Sequence, residues 1–182
     1  MHRLDRRCGF TSAAEAVAKR REEDCSALTR LDAKAHWLDF CDAQYEEPAP
    51  TDSLRAALSE LLLRYQPERV LLPLGLYHGD HRQAHEAALP ARQGREAWLY
   101  EDVPYRGMAG ILQQRLAELQ AMGWRARPIR LARQLGPAGA KAAALRAYAS
   151  QRRGFGPAGL DDAQEPERCW ALEPWQRDDD HG

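Results

Sequence analysis

Tyr77-His78-Gly79-Asp80-His81 places two imidazoles and a carboxylate within four residues, and His85 follows one helical turn beyond His81. A ring nitrogen of either histidine could bind a divalent metal, and a carboxylate such as Asp80 could hold a neighbouring imidazole in one tautomer. A group of this kind polarises a carbonyl and activates water. The same spacing also suits ordinary surface and helix-cap histidines, because two or three imidazoles do not complete a tetrahedral site. Both readings stay open on spacing alone.

The elements around the loop decide where it sits. Val70 to Leu74 is a compact apolar run of the kind a buried parallel strand needs, and Gly75 to Asp80 is then the loop at its carboxyl end. A helix from near His81 should stop at Pro90, and Ala97 to Glu101 reads as the next strand. Upstream, Ser12-Ala13-Ala14-Glu15 has the form of a capping box opening a helix to about Leu31, with Arg20 to Asp24 on its solvated face. Ala35 to Phe40 reads as a short strand, and Asp52 to Tyr65 as a helix with Leu54, Leu58, Leu61 and Leu62 on one stripe. Downstream come a helix over Gly107 to Met122 closed by Gly123, an edge strand over Arg125 to Leu131 broken by Pro128, and a helix over Gly139 to Ser150. Alternating helices and strands predict an α/β fold with a Rossmann-like, open and mainly parallel sheet and helices on both faces. In such sheets ligands collect beyond the carboxyl ends of the strands, where the histidine loop falls.

Length and composition narrow the function classes. With 182 residues and 44% hydrophobic content, the chain is expected to form one domain over 1–182, with an acidic tail at 175–182. Its 26 basic and 27 acidic residues nearly cancel, and the arginines are spread along the chain, so no nucleic acid partner is expected. No run approaches the roughly 20 apolar residues that span a bilayer, and no apolar signal core follows Met1, so no membrane partner and a cytoplasmic location are expected. Cys8, Cys25, Cys41 and Cys169 form no paired motif and read as reduced thiols.

Residues Leu71 through His85 resemble the second signature of the GlcNAc-PI-deacetylase-like (PIG-L/LmbE) family, a strand ending in a HPDHxxxH-type loop, with Gly79 where proline is usual. Similar in order are Arg7-Cys8-Gly9-Phe10, Tyr100-Glu101, Lys141 through Gln151, and Cys169-Trp170. The resemblance implies a zinc-dependent N-deacetylase acting on the amide of a small molecule such as an N-acetylated amino sugar. It makes His81 a zinc ligand, His78 the group that stabilises the oxyanion and Asp80 its orienting partner, with Tyr77, Tyr100 and Glu101 at the substrate pocket. It also implies that the family's first strand, whose HPDD-type loop supplies two further zinc ligands and the general base, is absent from this sequence. Activity is then expected to be impaired. The alternative is a non-catalytic α/β domain that binds a ligand or a partner. A nucleotidyltransferase is weaker, since no glycine-rich phosphate loop precedes the histidines.

Overall fold

The computed structural model of the protein describes residues 8–41, 49–131, 139–155 and 161–175. It divides into two compact units, residues 1–48 with 132–166 and residues 49–131 with 167–182.

The first unit is helical. Helix α1 spans Ala13–Arg30 and is opened by Ser12, whose Oγ accepts the Glu15 N–H at 3.1 Å. Glu15 closes the cap on Thr11 instead of Ser12, accepting its N–H at 2.8 Å and its hydroxyl at 2.6 Å. The charged run of α1 is not all solvated. Glu23 is buried and accepts the Ser150 N–H at 2.9 Å and its hydroxyl at 2.7 Å, while Asp24 takes the Tyr148 hydroxyl at 2.7 Å. Burial, followed by Asp24, holds the Tyr148 hydroxyl well above its ordinary range. Ala35 to Phe40 forms no strand, because the Trp37 indole is anchored to Asp24 at 2.8 Å and the segment has no strand beside it among the described residues. The expected last helix is two, α5 at Ala140–Ala147 and α6 at Ala149–Phe155, divided at Tyr148, which leaves helical geometry with ψ 52.

The second unit holds the sheet. Helix α2 (Thr51–Tyr65) ends at Gln66 in the left-handed conformation, ahead of Pro67. Strand β1 (Arg69–Pro73) leads into helix α3 (Gly79–Ala91), which runs one residue past Pro90. Strand β2 (Glu96–Tyr100), a 3-10 turn at Tyr105–Gly107, helix α4 (Ile111–Ala121) and strand β3 (Trp124–Ile129) follow. Strand β4 (Cys169–Pro174), which local pattern alone did not reveal, completes the order β1-β2-β4-β3. Strands β1 and β2 pair in parallel with Leu72 opposite Leu99, whereas β4 is antiparallel to both neighbours. Three strands therefore point one way, but the returning β4 lies between two of them and only one ladder is parallel. Strand β3 is at the edge, where Pro128 is tolerated.

The core lies on one face of this sheet. Leu72, Ala97, Leu99 and Leu172 form it together with Ala88 of α3 and Leu119 of α4, and Leu58 of α2 packs against it. The opposite side of β1 is not covered as a doubly buried strand would be: Leu72 is 3% exposed, but Leu71 is 55% exposed. All four cysteines are free, Cys8 and Cys169 buried and Cys25 and Cys41 exposed. No described helix is long and apolar enough to cross a membrane. Most of the acidic tail, 176–182, lies outside the described residues.

Candidate active site at the strand ends

Strand β1 delivers its loop with little freedom. Leu74 and Leu76 are fully buried, the Leu74 N–H donates to the Tyr100 carbonyl at 2.8 Å, and the Leu74 carbonyl accepts the Arg115 Nε–H at 2.8 Å. Arg115 is itself buried and bonds Glu118, which also holds Arg82 of α3 at 3.2 Å. Gly75 turns the chain between them at φ +75, and a Cβ there would meet the Arg82 Cα at 3.2 Å, so both conformation and space require glycine.

His78 follows as the N-cap of α3. Its Nδ1 is 3.3 Å from the Asp80 N–H, which donates to it, and 3.5 Å from Asp80 Oδ2. The two contacts make opposite demands on Nδ1: the amide needs a lone pair and the carboxylate needs a proton. With the amide bond made, the neutral ring carries its proton on Nε2, whereas a proton on Nδ1 would give up the cap and, in the neutral ring, leave Nε2 a lone pair.

His81 lies one turn into the helix, with its ring centroid 5.5 Å from that of His78. Its Nδ1 stands 3.3 Å from Oδ1 of Asp102, at the carboxyl end of β2. Asp102 raises the His81 pKa by hydrogen bonding and charge, against the opposing effect of burial. Tyr105 completes a ring cluster, with centroids 5.2 Å from Tyr77, 6.1 Å from His78 and 6.0 Å from His81. Burial, then Tyr77, Asp102 and Asp80, raises the Tyr105 hydroxyl above its ordinary value.

The loop residues singled out by spacing therefore come together, with one exception. His85 turns away from the cluster, 1% exposed, with Nδ1 2.8 Å from the Pro73 carbonyl and Nε2 without a hydrogen-bond partner among the described residues. It is a core histidine donating to a strand carbonyl. Burial is the leading cause that depresses its pKa below 6.5. The unfolded chain then takes up a proton near pH 6.5 that the folded chain refuses, so this contribution to stability is complete above pH 6.5 and is lost as the pH falls. Urea unfolding across that range should show the loss in the wild type and a smaller loss in His85→Gln, whose amide can donate to Pro73 without titrating. Equal acid sensitivity in both would refute this assignment.

Tyr100 and Glu101 support the site from behind. Glu101 is 2% exposed, accepts the Trp170 indole N–H at 3.1 Å and faces Arg168 at 3.6 Å. Burial, then Asp102 and Glu167, pushes Tyr100 up to about 12, so its hydroxyl stays protonated. Tyr77 is 59% exposed and offers a ring to solvent. Arg92 caps the far end of α3, about 20 Å along the helix from His78, and Arg95 lies just beyond it. There Arg92 lies over the Trp124 ring at 5.2 Å and Arg95 bonds the Leu62 carbonyl. Arg106 is buried beside Tyr105.

Asp102 and Tyr105 are the residues that motif reading missed. The rule that ligands gather at strand ends could have found Asp102, one residue beyond Tyr100-Glu101. Zinc fits the described residues poorly: they include no group of three or more His, Cys, Asp or Glu side chains that could hold a metal. His81 is one imidazole with a carboxylate behind it, not a tetrahedral donor set.

An open α/β sheet with an imidazole-rich loop at the carboxyl ends of β1 and β2 defines the class: a fold that binds its ligand at the strand ends. Within that class, residues 4–92 match the family model PIG-L, GlcNAc-PI de-N-acetylase. The fold is shared with a triple mutant of a deacetylase involved in teicoplanin biosynthesis, at TM-score 0.71 and 22% identity over 98% of this chain and 79% of that one. It is also shared with an antimicrobial pseudoaglycone deacetylase, at TM-score 0.69 and 23% identity over 97% and 78% of the two chains. A zinc-inhibited form of a teicoplanin deacetylase superposes at TM-score 0.65 and 19% identity, over 98% and 81%. No curated protein matches the chain.

Proposed function

We propose that the protein is an N-deacetylase that hydrolyses an N-acetyl amide on an amino sugar or related small molecule. The observation that carries this reading is the placing of His78, Asp80, His81 and Asp102 together at the strand ends, with the three loop residues inside the segment that matches the de-N-acetylase family. The family match runs through parts of both compact units, which supports treating 1–182 as one functional domain.

In amide hydrolysis water adds to the carbonyl carbon, the C–N bond breaks, and acetate and an amine leave, the amine taking up a proton. The carbonyl oxygen becomes an oxyanion on the way. His78 suits that oxygen, since the ring that accepts the Asp80 N–H at Nδ1 carries its proton on Nε2, and the helix whose first turn it caps adds positive potential. Asp80 keeps the ring in place. Tyr77 and Tyr105 put an aromatic surface beside the histidines, against which the apolar face of a sugar can pack.

Zinc belongs to this proposal through His81, the residue at the family's ligand position. The described residues include no group of three or more donors that could hold a metal, so no step above is routed through one. The same observation favours a second reading, a non-catalytic domain that retains the cleft as a ligand- or partner-binding site. A cytoplasmic location goes with the proposal and is supported by the free thiols.

Metal analysis of the purified protein tests the zinc component. The zinc that the wild type takes up is expected to be lost in His81→Ala and retained in His78→Ala. Undiminished zinc in His81→Ala would remove His81 from the ligand role, and a wild type that takes up no zinc would favour the second reading.

A further inference from the structure

Asp102 is a carboxylate with 1% exposure, a place where a charge needs specific partners. Its Oδ2 accepts the Leu76 N–H at 2.6 Å, which pins the side chain to the stretch that leads into His78 and His81. Its Oδ1 lies 3.3 Å from His81 Nδ1, a close contact short of an aligned hydrogen bond, and neither atom has another partner among the described residues. If Nδ1 held a lone pair, two electron-rich atoms would face each other in a buried space, and both would be unsatisfied. A proton on Nδ1 turns the contact into an attraction and leaves the lone pair of the neutral ring on Nε2.

We propose that Asp102 is a positioning residue that holds His81 as its Nδ1–H tautomer and so leaves the Nε2 lone pair to act in the cleft. The consequence for turnover rests on the deacetylase reading above, but the tautomer does not. Substitution by asparagine separates this role from a merely structural one. An asparagine carbonyl can still accept the Leu76 N–H, while its amide would donate to Nδ1 and move the ring proton to Nε2.

The test is long-range proton–nitrogen NMR on the full chain labelled at histidine, kept metal-free with chelator at a pH where the ring is neutral. His81→Gln identifies the resonances. The wild type should show Nδ1–H and Asp102→Asn should show Nε2–H, with an unchanged melting temperature. Turnover in Asp102→Asn should fall roughly 10–100-fold, the range found when the partner behind a functional histidine is lost. A wild-type ring protonated at Nε2 overturns the proposal even if the variant does not fold, and so does an unchanged tautomer in a folded variant. If the wild type shows Nδ1–H but releases no acetate from any N-acetylated sugar tested, the positioning role stands and the deacetylase reading fails. Acetate release with an Nε2–H ring has the opposite meaning.

Discussion

Replacing His78 by asparagine should lower kcat by about 100–1000-fold, the usual consequence of losing one oxyanion donor, while leaving the melting temperature close to that of the wild type. The reason is that His78 has two separable tasks. Its ring accepts the Asp80 N–H and caps α3, and in the proposed reaction its Nε2–H serves the developing charge. Asparagine is among the best N-cap residues, so the helix start survives the change. The shorter amide is differently shaped and does not reproduce the imidazole donor. His78→Ala should lose both functions, adding a destabilisation of about 1 kcal/mol to the kinetic defect. Steady-state kinetics and thermal unfolding of the two variants check this. Equal kcat in wild type and His78→Asn would remove His78 from the chemistry, and an equally stable His78→Ala would remove it from the cap.

Leu74→Ala should show the reverse pattern, a loss of roughly 2–5 kcal/mol in unfolding free energy with kcat nearly unchanged in the folded fraction. Leu74 is completely buried in the cluster formed by Leu72, Leu76, Leu99 and Leu119. Truncation removes apolar atoms and leaves a cavity that the surrounding strand and helices can fill only in part. The contacts that hold the loop are main-chain ones and persist in alanine: the N–H to Tyr100 and the carbonyl to Arg115. Urea titration and a rate measurement at low temperature separate the two effects. A large fall in kcat with little change in stability would mean that the Leu74 side chain itself shapes the cleft.

The elements with strong local signals could be read from the sequence. Val70 to Leu74 is a continuous apolar run, and it forms β1 with the histidine loop at its carboxyl end. Pro128 marked β3 as an edge strand because it has no N–H for a second ladder. His78, Asp80 and His81 are close in sequence and stay close in space. What could not be read depends on partners distant in the chain. Strand β4 gains its place between β2 and β3 from pairing across the sheet, so its reversed direction is invisible in Cys169-Trp170-Ala171-Leu172. Glu23 resembles its charged neighbours until Ser150, 127 residues later, brings two donors to it. Trp37 suggested a strand by its type, but its indole was already committed to Asp24. Asp102 was missed for a related reason: nothing beside it in sequence shows that it meets His81.

The structure also redistributes the roles of the histidines. His81 and His85 share a helical face, yet one faces a buried carboxylate and the other a strand carbonyl. Burial lowers the pKa of His85, while Asp102 raises that of His81. An i, i+4 histidine pair often suggests two ligands of one metal, and these two do not stand in that relation.

The central claim is that the histidine loop at the carboxyl end of β1 cleaves an N-acetyl amide. Proton NMR of the protein with added zinc and an N-acetylglucosamine-bearing substrate, following the acetate methyl signal, tests it most directly. The account predicts acetate release by the wild type and its loss in His81→Ala. Acetate released equally by both, or by neither across a panel of N-acetylated amino sugars, would contradict it.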